Sequence, residues 1–301
     1  IVLTIVREGT PKPFDVTLVR DTIRVTSVRG RLLEPGYGYV RISAFQTDTA
    51  ADFQKQLERL QEGGALRGLV LDLRSNPGGL LLAAVQVADD LLDKGVIVTT
   101  RGRIAVSDAR FEATPGDLMK GAPVVVLADA GSASASEVLA GALRDNGRAR
   151  IVGSRSFGKG SVQTVLPLDN GDSVKLTTAR YYTPSGKSIQ AKGIVPDVLV
   201  DETAEGSPFA ALRMREADLD KHLGDGSGAA EKKDAAREKA REEALKKLEE
   251  ARDSKDKAPK LPEYGTPEDF QLQQALNRLK GRPVVASKTQ TERKPVEPKA
   301  N

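Results

Sequence analysis

Three serines, Ser132, Ser134 and Ser136, stand where an apolar run, Pro123–Ala128, turns through Asp129–Ser132 into a helical pattern over Ser134–Arg144. A serine at such a junction has the setting for acyl transfer. The first N–H groups of a helix have no partner inside it and can hold a developing oxyanion. The N–H of Ala135 would lie beside the Ser134 hydroxyl. An earlier junction has the same form: Leu66–Leu73, the turn Arg74–Gly79, then an apolar helix over Leu80–Leu92. There Gly78 and Gly79 would let a substrate carbonyl approach the backbone. The plainer alternative also stands. Ser134-Ala135-Ser136-Glu137 fits a capping box, the glycine pair fits a tight turn, and Ser132 and Ser136 are equally good serines.

A serine nucleophile needs a base. The single histidine, His222, falls in a polar stretch after the apolar middle of the chain, and there is no cysteine. A lysine can serve if its amine is desolvated, since an ordinary lysine titrates near ~10.4. Lys159 lies between glycines in Ser156-Phe157-Gly158-Lys159-Gly160-Ser161, just before an apolar strand, unlike most lysines here. Gln163 follows four residues on, on the same face whether the segment is helical or extended. Lys159 is otherwise an ordinary turn lysine. A phosphate loop is rejected, because Gly160 replaces the Ser/Thr and a strand, not a helix, follows.

The elements that must position these residues are strand–turn–helix units in series, which predict an α/β layered fold with parallel strands. Strands are also expected at Ile1–Arg7, Phe14–Arg20, Gly38–Ile42 and Ile151–Gly153, and a helix at Thr47–Gln61. Asn170-Gly171 marks a hairpin between Ser161–Leu168 and Ser173–Tyr182. Ala229–Arg252 reads as a long charged helix, Asp269–Leu279 as an amphipathic helix that docks, and 281–301 as a disordered tail.

The 301 residues carry 46 basic and 42 acidic side chains, interspersed, which does not point to nucleic acid. No run approaches the roughly 20 apolar residues of a membrane span. The absence of cysteine removes disulfides and thiolate metal sites.

Gly131–Glu137 together with Gly153–Gln163 resembles the signature of the carboxyl-terminal processing (tail-specific) serine peptidases, most of all the bacterial CtpA-like type. The family nucleophile matches Ser134, its base Lys159 and its supporting glutamine Gln163. Leu71–Gly79 resembles the oxyanion-side motif, with Pro77 where a glycine often stands. Tyr182–Gln190, Gly193–Asp197 and Leu272–Gly281 are similar to the family as well. The resemblance implies a core related to the crotonase and Clp-protease layered superfamily with a small cap. It implies that 1–20 are the last strands of a truncated PDZ domain, 21–200 the peptidase core and cap, and 201–280 a helical region for self-association. It further implies no cofactor or metal, protein substrates with accessible C-termini, a homo-oligomer, a lipoprotein adaptor and a periplasmic location, peripheral to the membrane at most. Expected site residues are Ser134, Lys159 and Gln163, with Gly78, Gly79 and Ala135 for the oxyanion. Two rivals remain: a crotonase-like acyl-CoA enzyme, and a non-catalytic or resting scaffold on the same fold.

Overall fold

The computed structural model describes residues 1–21, 25–207, 209–226, 238, 239, 241–246 and 263–287. Leu69, Val70, Leu71 and Val124–Leu127 form short, wholly buried strands because both sheet faces are covered. Strand β5 (Gly68–Asp72) pairs in parallel with β8 (Val124–Ala128), and β8 with β9 (Ala149–Gly153). On the other side β5 pairs in parallel with β4 (Tyr37–Ile42), which pairs antiparallel with β3 (Val28–Glu34). A short β12 (Val198–Leu199) completes the six-stranded order β12-β9-β8-β5-β4-β3.

The two faces alternate with the pleat. Leu69, Leu71, Val124, Val126 and Ile151 point into the larger core with α1 (Thr49–Gln61), α2 (Leu81–Asp89) and α3 (Ala135–Asp145). Val70, Val125, Leu127 and Val152 point the other way, against Leu272 and Ala275 of α4 (Phe270–Leu279). The amphipathic helix expected at Asp269–Leu279 therefore docks, and its apolar face is spent within this chain. Residues 281–287 follow it back onto the core: Ser287 is buried and its Oγ donates to Thr203 O. The rest of the expected tail, and most of the charged helix expected over Ala229–Arg252, lies outside the described residues. Within the latter, 238, 239 and 241–246 are helical.

A second sheet, ordered β10-β11-β6-β7, is built from β10 (Ser161–Pro167), β11 (Ser173–Tyr182), β6 (Val96–Gly102) and β7 (Ala109–Glu112). Its β10–β11 hairpin turns at Asn170-Gly171 as expected. Strands β3, β6, β7 and β12 have no counterpart in the sequence reading. The first two strands are β1 (Val2–Ile5) and β2 (Phe14–Thr17), an antiparallel pair shorter than expected. Among the described residues no helix is long and apolar enough to cross a membrane.

Candidate active site

Both expected turns sit at the carboxyl ends of adjacent parallel strands, β5 and β8, so topology alone places them side by side. Their contact is close. A side chain on Gly78 would reach within 2.7 Å of Ala133 O and 2.9 Å of Ser134 Cβ, and one on Gly79 within 2.1 Å of Phe45 O. Both glycines also hold positive φ, 101° and 141°, so no other residue fits either position without displacing backbone. Asn76, fully buried, stitches the turns together. Its Nδ2 donates to Ile42 O, its Oδ1 accepts from Gly78 N–H at 2.9 Å, and its carbonyl accepts from Ala133 N–H and Ser136 Oγ.

Ser134 is the residue on which the second turn pivots, with φ 56° and ψ −114°. A left-handed non-glycine residue costs about 1–2 kcal/mol. The strain is held by α3 on one side and by Ala133 N–H bonded to Asn76 O on the other. Of the three serines, Ser132 and Ser136 are 1% and 0% exposed, and their hydroxyls donate to Leu73 O and Asn76 O. Ser134 is half-buried, and a side chain on Gly78 of the other turn would come within 2.9 Å of its Cβ. Among the described residues, the N–H groups of Gly79 and Ala135 make no hydrogen bond, whereas that of Gly78 is taken by Asn76. An oxyanion between the turns would therefore meet two uncommitted donors.

Glu137 connects this turn to the lysine segment. It is 1% exposed. Its Oε2 accepts from Ser134 N–H at 2.8 Å and Lys159 N–H at 2.9 Å. Its Oε1 accepts from Gly158 N–H at 2.7 Å and Ser156 Oγ at 2.5 Å, and Ser156 Oγ in turn accepts from Ile194 N–H. Burial pushes the Glu137 carboxyl up from the ordinary 4.5 to about 7, against the pull of those four donors. The capping residue of the sequence reading thus reaches across 22 residues to the candidate base. Lys159 is half-buried; among the described residues its Nζ makes no hydrogen bond to Ser134 Oγ. Gln163, in β10 beside a bulge at Val162/Gln163, is exposed. His222 is half-buried in a loop, its Nδ1 2.9 Å from Leu219 O.

A strained serine at a helix head, two unengaged N–H groups beside it and a lysine segment tied to the same carboxylate are the parts that acyl transfer without histidine would need. The chain belongs to peptidase family S41, whose model matches residues 36–200. It is 51% identical over 205 residues to a carboxy-terminal-processing protease of Bartonella bacilliformis, covering 67% of this chain and 47% of that protein. It is 41% identical over 204 residues to a carboxyl-terminal-processing protease of Synechocystis, covering 66% and 47%. A solved photosystem II D1 C-terminal processing protease superposes with a TM-score of 0.54 at 38% identity, covering 64% of this chain and 53% of that one. The chain spans about half the length of the curated relatives it matches.

Proposed function

We propose that this chain is the catalytic portion of a serine endopeptidase of the carboxyl-terminal-processing kind. Ser134 Oγ attacks a peptide carbonyl, and Lys159 Nζ, unprotonated, takes the hydroxyl proton and returns it to the leaving amine. Gly79 N–H and Ala135 N–H hold the oxyanion; Gly78 supplies the space for it. Lys159 Nζ and Ser134 Oγ are not hydrogen-bonded in this structure, so the two must come together before proton transfer. Gln163 would then orient the amine from β10. The observation that carries this reading is that Ser132 and Ser136 commit their hydroxyls to Leu73 O and Asn76 O, whereas Ser134 stands against Gly78 where two turns with unbonded N–H groups meet.

Family membership supports protein substrates with accessible C-termini and a periplasmic location. Self-association and an adaptor rest on the resemblance alone, as do a PDZ origin for residues 1–20 and a crotonase/Clp-like descent for the layered core. The acyl-CoA alternative needs an oxyanion hole but neither Lys159 nor Gln163.

Incubation of an unstructured protein substrate with wild type, Ser134→Ala and Lys159→Ala decides the matter. Cleavage by wild type and none by either variant is expected. Equal cleavage by wild type and Ser134→Ala sinks the assignment, and turnover of a CoA thioester without proteolysis favours the alternative.

A further inference from the structure

The segment 263–279 reaches the candidate site from the sheet face opposite α3, and it grips both turns. At the carboxyl end of β8, Asp129 Oδ1 accepts from Ser75 N–H at 2.8 Å, from Gly131 N–H at 2.9 Å and from Ser132 Oγ at 3.2 Å. One carboxylate thus spans the glycine turn and the serine turn. Ser75 is itself left-handed, with φ 52°, three residues before Gly78. The hydroxyl of Tyr264 donates to Asp129 Oδ2 at 3.2 Å and lies 3.0 Å from Ser75 Oγ. Burial, together with the Asp129 carboxylate, pushes that phenol up to about 12, so it stays a donor at physiological pH.

The same segment holds the residue before Ser75. Arg74, 1% exposed, has its guanidinium centred 4.3 Å from the middle of the Tyr264 ring. Its two terminal nitrogens donate to Asp269 Oδ1 at 2.8 Å and Oδ2 at 2.6 Å. Asp269 also caps α4 through Leu272 N–H and closes the loop through Gly265 N–H. Position and orientation of Arg74-Ser75 are therefore fixed jointly by β5 and by residues nearly two hundred positions away. That fixing passes to the residues that follow, because Asn76 is itself bonded to Ile42 O, Gly78 N–H and Ala133 N–H.

We propose that Tyr264 and Asp269 are positioning residues for the reaction: docking of residues 264–272 sets the register between the glycine turn and the serine turn. The proposal rests on the assignment of Ser134 as nucleophile and Gly79 and Ala135 as oxyanion donors. Neither residue touches substrate; Tyr264 works through Asp129 and Ser75, Asp269 through Arg74. Misplacement of oxyanion donors acts on the transition state rather than on substrate binding.

The test is Tyr264→Phe, which removes one hydroxyl and leaves the ring against Arg74. The expected result is a fall in kcat of about tenfold, the scale of one hydrogen bond to a charged group. KM and the thermal midpoint should be unchanged, and Ser134 labelling by a serine-reactive phosphonate should slow in parallel. In a cycle with Asp129→Asn, the double variant should lose no more than Asp129→Asn alone. Wild-type kcat and labelling in Tyr264→Phe, a loss that tracks only the unfolded fraction, or additive losses in the cycle would each overturn the proposal. Failure of the catalytic reading itself has a different signature: wild type would then leave Ser134 unlabelled whatever stands at position 264.

Discussion

Ser134 and Lys159 are tied to a single atom, since both backbone N–H groups donate to Glu137 Oε2, at 2.8 and 2.9 Å. The candidate nucleophile and base are thereby held by one buried carboxylate whatever their side chains do. That carboxylate must be ionised to accept four donors at once, yet burial opposes ionisation and moves its titration from the ordinary 4.5 to about 7. The sign is definite. Between about pH 4.5 and 7 the folded protein keeps a proton that the unfolded chain has released. Stability therefore falls as pH rises through that window and levels off above it. Over the same window the geometry around Ser134 and Lys159 should tighten. Glu137→Gln should abolish this part of the pH dependence of the thermal midpoint and reduce kcat strongly at pH 8, because an amide turns an NH2 toward two N–H groups. Parallel midpoint curves for both proteins between pH 4.5 and 8 would contradict the argument.

The neighbouring serines give a second prediction. Ser132 and Ser136 are buried with hydroxyls committed to Leu73 O and Asn76 O. Removing the Ser132 hydroxyl leaves Asp129 N–H without its acceptor, at a cost of about 1–3 kcal/mol, and removing that of Ser136 takes one of two donors from Asn76 O, at about 0.5–1.5 kcal/mol. Ser132→Ala and Ser136→Ala should thus lower the urea midpoint while a phosphonate still labels Ser134. Loss of labelling in a folded Ser136→Ala protein would put the nucleophile at the wrong serine.

How far the sequence reached follows from the range of each signal. Histidine and cysteine offered no strong rival and Ser134 and Lys159 both stand beside local turns, but Ser132 and Ser136 fitted as well, and it was the family resemblance that singled out Ser134 and Lys159. The strand–turn–helix units were legible because β5, β8, α2 and α3 are buried and locally apolar. Strand β3 (VRGRLLE) was not, since its charged residues break any alternation. Neither β6 nor β7 was anticipated, because β6 pairs with the distant β11 and β7 joins the sheet only through β6. Glu137 read as a local cap; its grip on Ser156, Gly158 and Lys159 depends on β9 returning the chain beside α3. Nothing local could announce that Asp269 meets Arg74 across 195 residues.

The glycine turn supplies a third prediction. Gly78→Ala would drive a methyl toward Ser134 Cβ and Ala133 O, and Gly79→Ala would drive one onto Phe45 O. The first presses on the site, the second on the strand connection behind it. Gly78→Ala should retain most of its helical circular dichroism and lose at least ~100-fold in kcat, the scale of one misplaced oxyanion donor. Gly79→Ala should fail chiefly by instability. A Gly78→Ala enzyme with wild-type kcat would show that the turn does not need to meet Ser134 so closely.

The buried charges behind that turn respond to acid in a direction that depends on Arg74. Burial is the largest influence and would raise the Asp72 carboxyl, but Arg74, Arg41 and the Tyr39 hydroxyl together outweigh it, and the net displacement is below the ordinary 3.8. Asp72 therefore adds stability above about pH 4, which is lost as pH falls through its lower folded value. In Arg74→Met the balance reverses. Asp72 would keep Arg41, 3.4 Å from its Oδ1 and itself partly exposed, and the Tyr39 hydroxyl, while Asp269 would lose both of its bonds to Arg74. Stranding a buried charge in this way costs about 3–5 kcal/mol. Desolvation would then raise the Asp72 carboxyl, so as pH falls from 7 toward 4 the variant should gain more stability than wild type, beyond the Glu137 contribution that both share. Urea titrations of the two proteins at pH 7, 5.5 and 4 measure this directly. A variant whose midpoint falls with acid as wild type's eventually does would mean that Arg74 is not the cation that keeps Asp72 ionised.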